Sequence, residues 1–453
     1  MSFPAKALIF LIVTMMSAVA SAQQVVRVTE PEANGSAEVT IAINPKNPDN
    51  IVGASFQTAR PPRPRAGSYN YVSMDGGKTW KTVPLADPKN LTQGDDAVYF
   101  SNDGTIYHTH LSFEGIRVAR PARAESGILV DRSTDGGLTW NEAVPAINHI
   151  NSVTPFEDKP GIVVDNAPGS PNQGHVYLAW TRFDVYGSSD PSCHSHIYFS
   201  RSTDGGKTFA MPIRISDSYG DCRDSDDTAE GAVPAVGPKG EVYIVWAATA
   251  GLIFKKSVDG GLTFTREKVI SDMPGGWDFG VEGLDRANGM PVTGVDLSDG
   301  ANKGTLYVNW IDARNGDPDV FVMSSRDGGE TWSAPVRVND DPARNGKVQF
   351  FTWMSVDPVD GSVNIVFYDR RDTEGAATKV MLARSVDGGR TFVNHRVELP
   401  PFVCNSNVFF GDYTGISAYG GRVVPIFMHF LDERRLAVSV ALFRFKLGTQ
   451  KTG

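Results

Sequence analysis

Acidic and amide side chains recur in short segments that come shortly before predicted strands. The segments are 94–96, 157–160, 226–230, 282–286, 349 and 411–413. Two carboxyl groups whose pKa values are driven apart can serve as general acid and as nucleophile or base on a glycosidic bond. The residues predicted to carry out this chemistry are Glu157, Asp158, Glu230, Asp412 and Tyr413.

Two other interpretations of these acids stay open at this point. Converging carboxylates can bind a hard cation such as Ca²⁺, or each acid can cap the turn beside it. The most acidic loop, 217–227, lacks the complete spacing of a calcium-binding loop, and His194-Ser195-His196 is too short for a zinc site. We therefore predict no metal site and no cofactor, with Ca²⁺ as the weaker alternative.

Arginines follow three of the predicted second strands, in segments 180–182, 310–314 and 368–371. A planar guanidinium pairs well with a carboxylate or a sulfate, so arginines from different strands could hold an anionic sugar. An equal alternative is that each arginine pairs with a nearby acid such as Asp312. The residues predicted to bind substrate are Arg182, Arg286, Arg314, Arg370, Asp96 and Trp353. Further arginines in the rim loops are Arg60, Arg63, Arg65, Arg117, Arg120 and Arg123.

A repeat indicates the elements that must position these side chains. The pattern Ser-X-Asp-Gly-Gly-X-Thr followed by Trp or Phe occurs at 73–80, 133–140, 202–209, 257–264, 325–332 and 385–392. Its Asp-Gly-Gly tolerates the positive φ that a hairpin reversal needs, and the Asp can accept backbone N–H bonds within the turn. One carboxylate per turn is far short of a calcium shell, so the repeat predicts a structural turn.

These octapeptides resemble the Asp boxes, or BNR repeats, of the sialidase-like superfamily. The resemblance implies a β-propeller in which each box joins the third and fourth strands of a blade, on the face away from the active site. It also implies an exo-glycosidase with an arginine triad, an Asp acid/base and a Tyr nucleophile assisted by a Glu. The Arg-Ile-Pro motif of sialidases does not occur, and the nearest stretch is 60–65. Candidate substitutes, chosen by placement, are Arg182, Arg314 and Arg370 for the triad and Tyr413 beside Asp412 for the nucleophile.

Strand-like runs around the boxes predict an all-β fold, a single β-propeller of four-stranded antiparallel blades. Six blades carry a box, and three strand-like runs after the last box (411–418, 423–430 and 436–445) predict a seventh. The segment 25–29 would supply its fourth strand and close the ring, which hides two sheet edges. Seven blades are favoured, and six, the number in sialidases, is the alternative.

The amino terminus has the features of a secretory signal. Lys6 precedes an apolar run, and Ala20-Ser21-Ala22 fits a cleavage site. The predicted organisation is a signal peptide at 1–22 and one propeller domain at 23–453, in a secreted or periplasmic protein. No other stretch approaches the roughly 20 apolar residues of a membrane span. Cys193 and Cys222 could pair in an oxidising compartment, but their spacing does not decide it.

The amino-acid composition restricts the classes of molecule that the protein is expected to bind. A net charge of −9 without any run of Lys or Arg argues against nucleic-acid binding. We predict a monomer with a glycan as substrate or ligand. The first functional hypothesis is a secreted, sialidase-like glycoside hydrolase acting on an anionic or decorated glycan at the rim opposite the boxes. The second is a non-catalytic propeller that binds a glycan or a partner protein, because a fold alone does not determine function.

Overall fold

The computed structural model describes residues 23–58, 65–116 and 121–447. Within these ranges the chain consists of strands and turns and has no helix, hence none long and apolar enough to cross a membrane. Seven antiparallel sheets of four or five strands form the blades of a β-propeller, and a two-stranded hairpin lies between blades four and five. The prediction of seven blades is confirmed, and the six-blade alternative is wrong.

The strands of the first four blades follow one another along the chain. Two short strands, β1 (Gln24–Arg27) and β2 (Glu32–Ala33), come first. Blade one contains β3 (Ala37–Ile43), β4 (Ile51–Gln57), β5 (Gly67–Ser73) and β6 (Lys81–Pro84). Blade two contains β7 (Thr92–Phe100), β8 (Ile106–Glu114), β9 (Glu125–Ser133) and β10 (Val144–Ile150). Blade three contains β11 (Phe156–Val164), β12 (Val176–Phe183), β13 (Ser195–Ser202) and β14 (Ile213–Arg214). Blade four contains β15 (Glu230–Val236), β16 (Val242–Ala248), β17 (Gly251–Ser257) and β18 (Lys268–Ser271).

The remaining blades follow the inserted hairpin, which consists of β19 (Asp278–Phe279) and β20 (Ala287–Asn288). Blade five contains β21 (Val292–Val295), β22 (Leu306–Asp312), β23 (Asp319–Ser325) and β24 (Val336–Arg337). Blade six contains β25 (Gln349–Val356), β26 (Val363–Asp369), β27 (Ala377–Ser385) and β28 (Val393–Arg396), with β29 (Phe402–Val403) also paired to β27. Blade seven contains β30 (Gly415–Tyr419), β31 (Arg422–Phe430) and β32 (Arg435–Arg444).

The amino-terminal strand closes the ring. β1 pairs antiparallel with β32, from Gln24 opposite Leu442 to Arg27 opposite Ser439. Blade seven therefore takes its outer strand from one end of the described chain and its other three strands from the opposite end, as predicted. Closure of this kind covers the free edge of β32, which would otherwise offer unpaired backbone groups.

The six octapeptides form matching turns, which we call the repeat turns. In the first, Asp75 Oδ1 accepts the backbone N–H groups of Lys78 and Thr79, both at 3.0 Å, and Oδ2 accepts the Thr79 hydroxyl at 2.7 Å. Gly76 and Gly77 have φ of 78° and 92°, a conformation that favours glycine. Burial alone would raise the pKa of Asp75, but the hydrogen bonds from Thr79, Ser73 and Lys78 lower it to about 2. The hydrogen bonds to the Asp75 carboxylate thus all come from residues of its own turn.

Aromatic rings fill the spaces between neighbouring blades. Trp180, Trp246 and Trp310 occupy the fifth position of β12, β16 and β22, and all three are fully buried. The ring that ends a repeat turn packs on the third strand of the preceding blade, as Phe264 does on Phe199 with 4.9 Å between centroids. The repeat turns therefore stabilise contacts between blades, at the end of the propeller away from the starts of the inner strands.

A bulge near the start of the inner strand is shared by five blades. The pairing of inner and second strands shifts register between 37 and 40, 94 and 97, 158 and 161, 230 and 233, and 350 and 353. In the first three blades the bulge holds Glu38, Asp95 and Lys159 at φ of 58°, 53° and 49°, an uncommon conformation for such residues. A bulge turns a side chain out of the regular alternation, and here it directs charged groups to the channel mouth.

A disulfide ties together two loops at the same rim. Cys193, in the loop before β13, is bonded to Cys222, in the segment before β15, with a Cα–Cα distance of 5.8 Å. The pairing that the spacing alone left open is therefore present. Cys404 is buried and has no disulfide partner.

Candidate functional site

A cavity of about 280 Å³ opens at the rim opposite the repeat turns, above the inner strands of blades one to four. We call it the rim pocket. Its aromatic wall consists of Phe56, Phe113, Phe156, Tyr186 and Phe409, and the rings of Phe156 and Tyr186 lie 5.0 Å apart. Its carboxyl groups belong to Glu38, Asp95, Asp158, Asp224, Glu230 and Asp412. Apolar walls with a few convergent polar groups are typical of small-molecule sites.

Three of these carboxyl groups meet where the inner strands of blades one to three begin. Asp95 is in hydrogen-bond contact with both Asp158 and Glu38. Burial and the adjacent charge of Asp95 raise the pKa of Asp158 and that of Glu38 well above their ordinary values. Burial alone would raise the pKa of Asp95. Hydrogen bonds from Asp158 and Glu38 and the charge of Lys159 outweigh burial and lower that pKa. The trio therefore combines one carboxyl group that gives up its proton more readily than usual with two that hold theirs more strongly.

A second group of carboxyls lies at the entry to blade four. Glu230 shares a hydrogen bond with Asp224, and burial followed by the Asp224 charge raises the pKa of Glu230 well above its ordinary value. The Tyr186 hydroxyl donates to Asp224 Oδ2 at 2.6 Å. Burial and the charges of Asp158 and Asp224 raise the pKa of Tyr186. Glu230 is thus a third carboxyl group of the rim pocket that holds its proton more strongly than usual.

Two cationic side chains connect the groups. Arg286, carried by the inserted hairpin, donates to Asp224 at 3.2 Å and forms a close ion pair with Asp412, and its guanidinium lies 5.4 Å from the centre of the Phe409 ring. The backbone N–H of Lys159 is shared by Asp95 Oδ2 at 3.2 Å and Asp158 Oδ1 at 3.1 Å. Despite its burial, the pKa of Lys159 is raised, because Asp412, Asp95 and Glu38 surround it.

The central channel begins beside the rim pocket and forms its own cavity of about 420 Å³. Tyr413, Trp353 and Asp96 line this channel cavity, not the rim pocket. The Lys159 ammonium sits 4.2 Å above the Tyr413 ring. Burial and the nearby carboxylates, Glu38 first among them, raise the pKa of Tyr413 well above its ordinary value, so its hydroxyl stays protonated. Asp96 is held inside the blades by His108, whose Nε2 lies 2.7 Å from Oδ1.

Glu157 lies apart from the other predicted acids. It stands opposite Arg182 in the pairing of β11 with β12, and Arg182 Nη2 approaches Oε1 at 2.6 Å. His149 and Trp180 complete its contacts, at 2.7 and 2.5 Å. Neighbouring residues of a strand point to opposite faces, so Glu157 turns into the blade while Asp158 faces the rim pocket.

The arginine clamp expected from the sequence is not assembled at the rim pocket. Arg182 is held by Glu157, and Arg314 pairs with Asp312 at 2.5 Å. Arg370 donates to the backbone carbonyl of Glu282 at 2.7 Å and stays buried. None of the three lines the rim pocket; of the predicted substrate-binding arginines, Arg286 does. Among the further rim arginines, Arg65 pairs with Glu114 and Arg123 with Glu125, while Arg60, Arg63, Arg117 and Arg120 lie outside the described residues.

Five charged or phenolic residues of the pocket had no site role predicted from the sequence: Glu38, Asp95, Lys159, Asp224 and Tyr186. Asp95 and Lys159 do lie within the polar segments 94–96 and 157–160. Glu38 is the first residue of the first strand predicted from the sequence, 38–43, and its charge between the apolar Ala37 and Val39 was the available signal. No group of three or more His, Cys, Asp or Glu side chains within the described ranges has an arrangement that could hold a metal ion. The described side chains that line the site are carboxyl groups, two cations, aromatic rings and small polar or aliphatic groups.

No family model matches the chain. It is 25% identical over 259 residues to a sialidase of Bacteroides fragilis, which covers 50% of this chain and 43% of that protein. It is also 25% identical over 284 residues to a xyloglucanase of Paenibacillus, which covers 58% of this chain and 23% of that protein. The chain therefore spans less than half the length of these curated relatives.

Solved structures show the same architecture. A protein of unknown function from Dyadobacter fermentans matches over 95% of this chain and 99% of its own, with a TM-score of 0.51 and 14% identity. An α-L-arabinofuranosidase of Fusarium graminearum, solved with arabinobiose, matches over 93% of this chain and 97% of its own, with a TM-score of 0.50 and 13% identity. Together with the curated relatives, these matches support a sialidase-like β-propeller.

Proposed function

We propose that this chain is a glycoside hydrolase whose reaction takes place in the rim pocket. The observation that carries the proposal is that neighbouring carboxyl groups of this pocket have pKa values shifted in opposite directions. Glu230 and Asp158 have pKa values raised well above the ordinary range, while that of Asp95 is lowered. Glycoside hydrolysis needs one carboxyl group of each kind. The sialidase and xyloglucanase relatives are consistent with this chemistry.

The roles follow from the protonation states. Glu230, protonated and only 4% exposed, is the proposed general acid that gives its proton to the leaving oxygen. Asp95, ionised, is the proposed nucleophile or the base that activates water at the anomeric carbon. Asp158 is in hydrogen-bond contact with Asp95, so these two carboxyl groups are too close to stand on either side of a glycosidic bond. The proposed role of Asp158 is instead to help keep Asp95 ionised. Arg286 orients Asp412 beside them.

The residues that line the pocket bear on the substrate. The sequence predicted an anionic or decorated glycan, and within the described residues the rim pocket presents no arginine without an acidic partner. The aromatic wall suits the apolar face of a sugar ring. We therefore propose a decorated glycan without a carboxylate.

The test is hydrolysis of a panel of aryl glycosides and natural glycans by the purified chain. We expect release of a sugar, and we expect Glu230→Gln and Asp95→Asn each to lower kcat by about 10²- to 10⁴-fold without lowering Tm. Asp278→Asn, a change of the same kind outside the rim pocket, should leave kcat within about twofold. Full rates in Glu230→Gln would refute the assigned acid. No release from any substrate would favour the non-catalytic alternative.

We also propose that the protein is exported and works as a monomer without a cofactor. The signal-like segment 1–22 lies outside the described residues, and the Cys193–Cys222 disulfide suits an oxidising compartment. Mass spectrometry of the protein recovered from the periplasm or medium should show an amino terminus at Gln23. Treatment with a chelator should leave turnover unchanged; a loss restored by Ca²⁺ would establish the calcium alternative.

A further inference from the structure

We infer that the rim pocket binds a cationic group in exchange for a proton, so that the glycan it accepts carries a free amine. The inference deepens the proposed function by naming a substrate class. It rests on the proposed function only in calling the bound glycan a substrate. Binding of the amine can be measured without turnover.

The first step is the balance of charge. Six carboxyl groups and two cationic side chains line the pocket within the described residues. Arg286 bonds Asp224 and Asp412, and the Lys159 ammonium lies over the Tyr413 ring, where the charges of Asp412 and Asp95 act on it. A ligand carboxylate would therefore meet at most the Lys159 ammonium, whereas an ammonium would meet several carboxyl oxygens.

The second step concerns the contacts between carboxyl groups. Asp95 touches Asp158 and Glu38, and Glu230 touches Asp224. Two carboxyl groups hydrogen-bond each other only when one of them carries a proton. Each contact thus contains a proton that a bound cation can replace, because the ammonium then screens the two carboxylates from one another.

The third step is an oxygen that lacks a donor. Oε2 of Glu230 is buried, and no amide, hydroxyl or cationic group among the described residues donates to it. The side chain is 4% exposed and lines the rim pocket. A buried acceptor without a donor is costly, and an ammonium supplies donors as well as charge.

The aromatic wall adds to the preference. Rings of Phe113, Phe156 and Tyr186 meet at centroid distances of 5.5 and 5.0 Å on one side of the pocket. The negative face of an aromatic ring attracts a cation within about 6 Å. Arg286 over Phe409 and Lys159 over Tyr413 already make such contacts at the edges of the site.

Calorimetry with two sugars that differ only in the amine tests the inference. The probes are methyl 2-amino-2-deoxy-β-D-glucopyranoside and methyl β-D-glucopyranoside, titrated at about pH 6, where an aliphatic amine is charged. Two buffers of different ionisation enthalpy report the protons released. We expect the amino sugar to bind at least tenfold tighter and to release a fraction of a proton, and the neutral sugar to release none.

Asp158→Asn is the informative variant, since its amide can still donate to Asp95 but has no proton to exchange. We expect it to lose part of the proton release and part of the tenfold preference, because the contacts of Asp95 with Glu38 and of Glu230 with Asp224 remain. Glu230→Gln tests the second carboxyl contact in the same way if Asp158→Asn does not fold, and Asp278→Asn is the matched control that keeps both effects.

Equal binding of the two sugars, tighter binding of N-acetylneuraminic acid, or proton release unchanged in both variants would overturn the inference. The outcome is separate from that of the proposed function. Hydrolysis of glycosides without any preference for the amine would leave the function standing, and amine binding with proton release but no hydrolysis would leave the inference standing.

Discussion

Arg286 joins Asp224 to Asp412 across the mouth of the propeller. Asp224 precedes blade four and Asp412 precedes blade seven, so one guanidinium connects loops that are far apart in the sequence. The hairpin that carries Arg286 is inserted between blades four and five. This hairpin contributes to the site from above the ring, whereas the inner-strand bulges contribute from within it.

Removal of this link should affect activity more than stability. We expect Arg286→Ala to lower kcat/KM by on the order of a hundredfold, because Asp412 loses its orientation beside the reacting groups. The side chain is 41% exposed, so the free energy of unfolding should fall by at most about 1 kcal/mol. Kinetics and urea titration of Arg286→Ala and Arg286→Lys measure both; an unfolded Arg286→Ala variant would show a structural role.

Stability should fall as the pH rises through the range in which the pocket acids ionise. The folded-state pKa values of Glu38, Asp158 and Glu230 are raised, so their contribution is present below about pH 4 and is lost as the pH rises through the folded pKa values. We expect Asp158→Asn to melt higher than the wild type at about pH 9 and to lose less stability between about pH 5 and 9. Thermal melts across pH decide this, and identical pH profiles would contradict the raised pKa.

The repeat turns should respond in the opposite direction. The pKa of Asp75 is lowered to about 2, so its contribution is present above about pH 4 and is lost as the pH falls toward 2. Asp75→Ala should cost about 1–2 kcal/mol of unfolding free energy at neutral pH, because two backbone N–H groups and a hydroxyl lose their acceptor. Turnover at the distant rim pocket should remain, and Asp75→Asn, which keeps an acceptor oxygen, should lose less.

The disulfide should stabilise the rim loops of blades three and four. Replacing Cys193 and Cys222 together by Ser should lower the unfolding free energy by about 2–4 kcal/mol, since the crosslink closes a 29-residue separation. A reducing agent should destabilise the wild type by a similar amount and the double variant not at all. The Cys404→Ala variant should keep the wild-type response to reductant; an equal response in all three chains would exclude a role for the crosslink.

The repeat explains why the blades could be counted from the sequence. Each octapeptide specifies its own turn through local contacts, such as Asp75 with Thr79, so it can be recognised without knowledge of the rest of the fold. The closure of the ring by β1 could be predicted as well, because three strands without an outer partner remain after the sixth repeat turn. Turns that are specified by local contacts can therefore be recognised from one sequence.

The membership of the site depends on contacts that a sequence does not display. Glu157 and Asp158 are neighbours of equal chemistry, yet the register of β11 against β12 pairs Glu157 with Arg182 and leaves Asp158 in the pocket. Glu38 enters the pocket because a bulge holds it at positive φ. These side-chain directions are set by pairing with strands that are distant in the sequence. The alternation of inward and outward residues along one strand therefore does not reveal them.

The pairing of β1 with β32 has a consequence for how the protein is made. Gln24 emerges from the ribosome more than four hundred residues before its partner Leu442, so the ring cannot shut until β32 has been made. Bringing such distant segments together is entropically slow and comes late in folding. Until β32 has been made, the blades therefore form an open series in which β1 lacks its partner strand.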